Sequence, residues 1–170
     1  SNVVFDATSA NTGEVTVSPP QVTFVPSEWD TPKPITVTGV NDNPPVVDGA
    51  QLVNVSVAIN QAGSDNAWDS LAAQTVAVTN QDNDPPGFTL SKTTATVSEN
   101  GTSETFTVVL NARPLGNVVF DATSPNPSEV TVSPAQVTFA PGEWNTSKTI
   151  TVTGVDDNPP VVDGAQLVNV

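Results

Sequence analysis

The sequence predicts an all-β protein built of two-sheet sandwich modules in tandem. Three observations carry the prediction: the chain repeats itself, its apolar residues alternate with polar ones, and no stretch has a useful helical period.

Residues 2–55 and 117–170 align without a gap at an offset of 115 residues, and 44 of the 54 aligned positions are identical. A unit of that length is too long for a solenoid repeat, and it matches an immunoglobulin-like sandwich of about 100 residues. The chain therefore spans about one and a half repeats with a period of 115 residues. Near-identity between copies suggests recent duplication, and these residues read as a window on a longer array.

The strands follow from period-two patterning. In the first copy, segments 51–59 and 74–79 alternate Val, Ala or Ile with Thr, Ser, Gln or Asn. In the second, segments 104–110, 129–133, 136–139 and 149–155 do the same. Alternation sends apolar side chains to one sheet face and hydroxyls to the other, and β-branched residues favour strands. Pro, Gly, Asn and Asp punctuate these runs at short spacings, as turns require. Seven short strands per repeat point to a two-sheet sandwich. With a Pro-Pro-Gly junction at 85–87, residues 1–84 read as a module lacking its first two strands. Residues 88–170 read as one lacking its last two. The missing strands are expected from sequence outside this window or, by strand donation at an open edge, from another copy of the chain.

Four Lys+Arg against 18 Asp+Glu give a net charge of −14. Nucleic acid and anionic lipid surfaces need cationic side chains, so neither is an expected partner, whereas divalent cations are attracted. Cys, His, Met and Tyr are absent, which removes disulfides and the usual ligands of zinc, copper and haem. An extracellular module without disulfides needs another staple, and bound Ca²⁺ is one. No apolar run approaches the ~18 residues of a membrane span, and no signal peptide is recognisable within the window.

Several segments taken in order resemble the Calx-beta family. They are Thr96-Val-Ser-Glu-Asn-Gly-Thr102, Thr105-Phe-Thr-Val-Val-Leu110, Val137-Thr-Phe-Ala-Pro-Gly-Glu-Trp144, Ile150-Thr-Val-Thr-Gly-Val-Asp-Asp157 and Gln81-Asp-Asn-Asp84. The resemblance covers essentially the whole chain and rests on the order of the motifs. It implies a seven-stranded immunoglobulin-like sandwich, Ca²⁺ held by carboxylates at one pole, and a place in a long bacterial surface or secreted protein. Carried over residue by residue, it implies Glu99, Asp156, Asp157 and Asp163 as metal ligands in the second module. In the first it implies Asp42, Asp48, Asp82 and Asp84. The chain departs from the family pattern at Asn41, which replaces one of the paired acids, and at Pro-Asn-Pro-Ser in 125–128.

Clustered Asp on tight loops suits a hard cation that takes about six to eight oxygen ligands. The same Asp-Asn-Pro and Asp-Gly sequences are also ordinary turn chemistry, because Asp and Asn side chains bond their own backbone. Asp65 and Asp69 are read as turn residues. Trp29 and Trp144, at equivalent positions, are expected to pack at a sandwich edge; a sugar platform is the alternative. The expected function is a structural, Ca²⁺-stabilised repeat of an extracellular or cell-surface adhesin, sheath or fibre, with neighbouring repeats as partners. The alternatives are a filament subunit joined by strand donation between copies, and a module binding a cell-surface sugar or protein. An enzyme is not expected: His and Cys are absent, and Lys33, Lys92, Arg113 and Lys148 are the only positive side chains.

Overall fold

The computed structural model describes residues 1–157, 159 and 164–170. The chain is all-β with antiparallel sheets, and divides into two compact units, residues 1–43 with 48–83 and residues 44–47 with 84–170.

In the first unit, β1 (Val3–Ser9), β3 (Gln21–Phe24), β6 (Gln51–Ile59) and β7 (Gln74–Asn80) form a sheet in the order β3-β1-β6-β7. Opposite it, β2 (Val15–Ser18) pairs with β4 (Thr36–Gly39). Period-two alternation sends Val53 and Val55 of β6 inward, where they meet Val15 and Val17 of β2 and Val78 of β7. Val15 is fully buried there.

The second unit has the complementary strand set. Here β8 (Phe88–Leu90), β9 (Ser103–Leu110), β12 (Val130–Ser133) and β14 (Lys148–Gly154) form a sheet in the order β12-β14-β9-β8. Facing it, β11 (Val118–Asp121) pairs with β13 (Gln136–Phe139). A short parallel pair, β5 (Val46–Val47) with β10 (Arg113–Pro114), also belongs to this unit. Phe139 is fully buried among Val108, Leu110, Val137 and Ile150, and Phe120 packs edge-on against it.

The repeat reproduces its pairings residue for residue. Val3↔Phe24 and Asp6↔Gln21 become Val118↔Phe139 and Asp121↔Gln136; Val15↔Gly39 becomes Val130↔Gly154. The Lys33–Glu28 ion pair at 2.8 Å recurs as Lys148–Glu143 at 2.9 Å, each ammonium lying over its Phe24 or Phe139 ring. The Ser18–Pro19 and Ser133–Pro134 peptides are both cis.

Environment breaks this symmetry. The heptapeptide Val-Val-Phe-Asp-Ala-Thr-Ser is strand throughout in β1, which lies between β3 and β6. In the second unit, where β13 is the one strand beside it among the described residues, strand ends at Asp121. In the same way, β14 lies between β12 and β9 and spans seven residues, whereas β4 pairs with β2 alone and spans four. Pro34, standing where the second copy has Thr149, adds to this shortening because it offers no N–H to a ladder. The tryptophans diverge too. Trp144 packs on the core, and its carbonyl accepts the Leu110 N–H of β9 at 3.1 Å. Trp29 is 76% exposed, contrary to the expected edge packing, because its unit has no β9-like strand among the described residues.

Phe139→Ala should destabilise the second unit by about 3–5 kcal/mol. Phe24→Ala, at a half-buried position of the first unit, should cost clearly less. Urea unfolding of the two variants checks the contrast, and equal costs would contradict it.

Candidate metal centre

The sequence-derived acids lie on loops between strands, and the structure ties several of these loops together. In the first unit, the Asp48-Gly49 turn precedes β6 and Asp82 follows β7. Because β6 and β7 pair with Gln51 opposite Asn80, both loops emerge at the same end. Gly49 has φ +74°, a backbone that L side chains rarely adopt, and its N–H donates to Asp82 Oδ2 at 2.8 Å. The Gln51 side chain donates back to the Asp48 carbonyl at 3.0 Å. Asp42 follows β4 at this end, where Asn41 Nδ2 donates to its carbonyl.

Glu14 also stands here, a residue that sequence reasoning passed over. The Val40 N–H donates to its carbonyl at 2.8 Å, and Asn80 Nδ2 donates to its carboxylate at 3.1 Å and to the Val40 carbonyl at 2.8 Å. The available signal was the repeat: Glu14 and Glu129 hold the same position, one residue before β2 and β12.

In the second unit, Val155 N–H donates to the Glu129 carbonyl at 2.8 Å, reproducing the Val40–Glu14 bond. The turn that carries Glu99 is closed by Ser98 N–H donating to Thr102 Oγ1 at 2.7 Å and by Gly101 N–H donating to the Ser98 carbonyl at 3.1 Å. It packs on Gly154 so closely that a Cβ there would lie 2.2 Å from the Ser98 carbonyl oxygen. Glu99, Glu129, Asp156 and Asp157 thus lie within a few residues of one junction. Asp156 is exposed, and Asp157 is half-buried with its Oδ2 atom buried and accepting no hydrogen bond from the described residues. Asp84 belongs to the second unit rather than to the first with Asp82. Asp163 lies outside the described residues.

Loops converge more closely than side chains do. Among the described residues, no three acidic side chains are grouped as a metal site would require. Part of the acidic chemistry is turn chemistry: Asp82 caps the Gly49 amide, and Asp65 accepts the Ala67 N–H at 3.0 Å at the start of a 3₁₀ turn, as expected of a turn residue. What the set offers a ligand is oxygen alone, from carboxylates and backbone carbonyls.

The carboxyl pKa values of Glu104 and Glu143 are lowered. Glu104 of β9 is held below its ordinary value by a hydrogen bond from Lys92 and then by the Thr96 N–H, which together tie segment 92–96 to the sheet. Glu143 is lowered by its hydrogen bond from Lys148. A depressed folded-state pKa contributes stability that is present above the unfolded value and is lost as pH falls through the folded value.

Glu104→Gln should therefore reduce stability at neutral pH and remove part of the decline seen as pH drops through and below the usual carboxylate range. Thermal unfolding of both proteins from pH 7 down to pH 3 checks this; parallel curves would contradict it. Asp82→Ala should speed exchange of the Gly49 amide by about fivefold, equivalent to a hydrogen bond of roughly 1 kcal/mol, read by hydrogen–deuterium exchange. Compared with known proteins, the chain matches no family model and no curated sequence.

Proposed function

We propose that this chain is a structural repeat of an extracellular or cell-surface protein, such as an adhesin, sheath or fibre, and that its modules are stabilised by Ca²⁺ at their acidic loop ends. The observation that carries the reading is the duplication of one pairing scheme at a spacing of 115 residues. Repetition of this pairing scheme with its surface ion pair and acidic loops is what a spacer needs, and the composition holds no His or Cys to serve as the base or nucleophile of a catalytic site.

The donor set suits calcium. Ca²⁺ is hard and takes oxygen ligands, and the buried Oδ2 of Asp157 is a carboxylate oxygen that a cation would satisfy. In the second unit the ion would draw on Glu99, Asp156 and Asp157, with Glu129 adjoining; Asp163 joins this reading from sequence alone. In the first unit the ligands would be Asp42, Asp48 and Asp82, and Asp84 would serve as an outlying acid of the second. Bound there, the ion would offset the carboxylate repulsion of a chain with net charge −14. A sugar- or protein-binding reading draws on exposed Trp29 and Trp68, and Trp144, the repeat mate of Trp29, is packed on the core.

The test is thermal unfolding in Ca²⁺ and in chelator. A ligand that binds only the folded state adds about 2.7 kcal/mol at a free concentration one hundred times its dissociation constant, which for units of this size is a rise of several degrees. Asp157→Asn should diminish that rise. Identical unfolding in Ca²⁺ and in chelator would reduce the acidic loops to turn formers.

A further inference from the structure

The two copies of the heptapeptide Val-Val-Phe-Asp-Ala-Thr-Ser let one unit show what the other accepts. In the first unit, β1 carries β3 on one edge and β6 on the other, paired Phe5↔Ile59 through Ser9↔Val55. The bonds identify which residues serve which edge. Val4 N–H donates to Ser64 Oγ, its carbonyl accepts the Asn60 N–H, and Ala7 N–H turns the other way to the Pro20 carbonyl. Alternation assigns the backbone groups of Val4, Asp6 and Thr8 to the β6 edge. In the second unit, Ala122 N–H donates to the Ala135 carbonyl as Ala7 does to Pro20, so the phase is the same. Val119, Asp121 and Thr123 therefore present their backbone groups to the edge opposite β13, and among the described residues no strand lies along it.

Three further differences mark the same vacancy. Val4 is 7% exposed beneath the turn at Gly63, whereas Val119 is 50% exposed. Asp6 holds both Gln21 and Asn60 side chains, at 2.7 and 2.8 Å, whereas the Asp121 bond corresponding to the first is with Gln136 at 2.9 Å, and no counterpart of Asn60 stands beside it among the described residues. Val15 is fully buried by Val53 and Val55, whereas Val130 lines an open cavity of about 790 Å³ together with Phe106, Val152 and segment 164–170. That segment ends in Gln-Leu-Val-Asn-Val, the opening sequence of β6, yet it forms no strand.

We propose that the open edge of β11 is an acceptor for a strand–turn–strand segment with the sequence of residues 56–80, carried by a further copy of the repeat. The register follows from the first unit. Ile59, Ala58, Val57 and Ser56 of the incoming segment lie opposite Phe120, Asp121, Ala122 and Thr123, and its Asn60 reaches Asp121. Its second strand, residues 74–80, lies along 166–170, with Asn80 opposite Gln166 and Val76 opposite Val170, as β7 does along β6. The strand at β11 then runs on to Ser124, and Val119 is covered. Main-chain bonds supply the affinity and the alternating side chains the specificity, as in other strand additions. The inference deepens the repeat-module reading and rests on its repeat part, not on calcium.

The experiment adds a synthetic peptide of residues 56–80 to the full 170-residue protein and follows amide exchange, once in chelator and once in Ca²⁺. Exchange at Val119, Asp121 and Thr123 should slow by about tenfold or more. A peptide with Ala58→Pro, which removes the N–H aimed at the Asp121 carbonyl, should not produce this. As a second route, appending the same 25 residues after Val170 should raise the unfolding midpoint of the second unit by several degrees. Unchanged exchange with no gain from the appended segment would overturn the proposal, as would equal protection by the proline peptide. Protection of these amides without peptide, rising with protein concentration, would assign the edge to a second copy of the chain and also overturn it. Binding in chelator with no calcium effect on stability would retain this inference while removing the metal from the functional reading.

Discussion

Antiparallel pairing on both edges of a strand governs how long each strand runs and which of its side chains are buried. A strand hydrogen-bonded on one side still has half its backbone groups facing solvent, and the side chains over that edge lack neighbours to bury them. In the first unit β1 is paired on both sides, runs seven residues and buries Val4 and Ala7. In the second unit the same seven residues have one neighbouring strand among the described residues, and four of them form strand. The seven residues are identical in the two units, so the difference comes from what surrounds them: the second edge, and Pro125 where the first copy has Ala10, whose N–H donates to the Asn54 carbonyl.

The same constraint orders the cores. Each unit buries an apolar layer between a four-stranded sheet and a two-stranded one, built of valine in the first and of valine, leucine, isoleucine and phenylalanine in the second, but the four-stranded sheet is the opposite one in each. Where four strands face two, the buried residues cluster under the paired region: Val15 with Val53 and Val55 in the first unit, Phe139 with Val108, Leu110 and Ile150 in the second. Residues beyond it, such as Val37 of β4 and Val119 of β11, are exposed although Val152 and Val4, their repeat mates, are buried. Trp29 and Trp144 show the same division.

At the acidic loop ends, backbone and side chain play separate parts. The loops are held by groups that carry no net charge or whose charge is engaged: Gly49 and Asp82, Val40 and Glu14, Val155 and Glu129, Gly154 and the Thr102 carbonyl. These bonds fix which strand ends meet and leave carboxylates such as Asp156 and Asp157 beside them. A scaffold of that kind serves turn formation and cation binding alike, since both call on oxygen acceptors near tight backbone.

Fold class, repeat and the approximate places of the strands are legible in the residues alone. Val/Thr alternation has only one periodicity, and 44 identical residues in 54 impose the same register twice. The sequence also marked the acidic loops, because Asp beside Gly or Pro is a local signal. It passed over Glu14 and Glu129, whose significance lies in the residues opposite, Val40 with Asn80 and Val155. Which valines are buried, where a strand stops, which tryptophan is covered and which acids meet are set by packing. Each of these depends on a neighbour distant in the chain, and two identical segments with different neighbours have different outcomes.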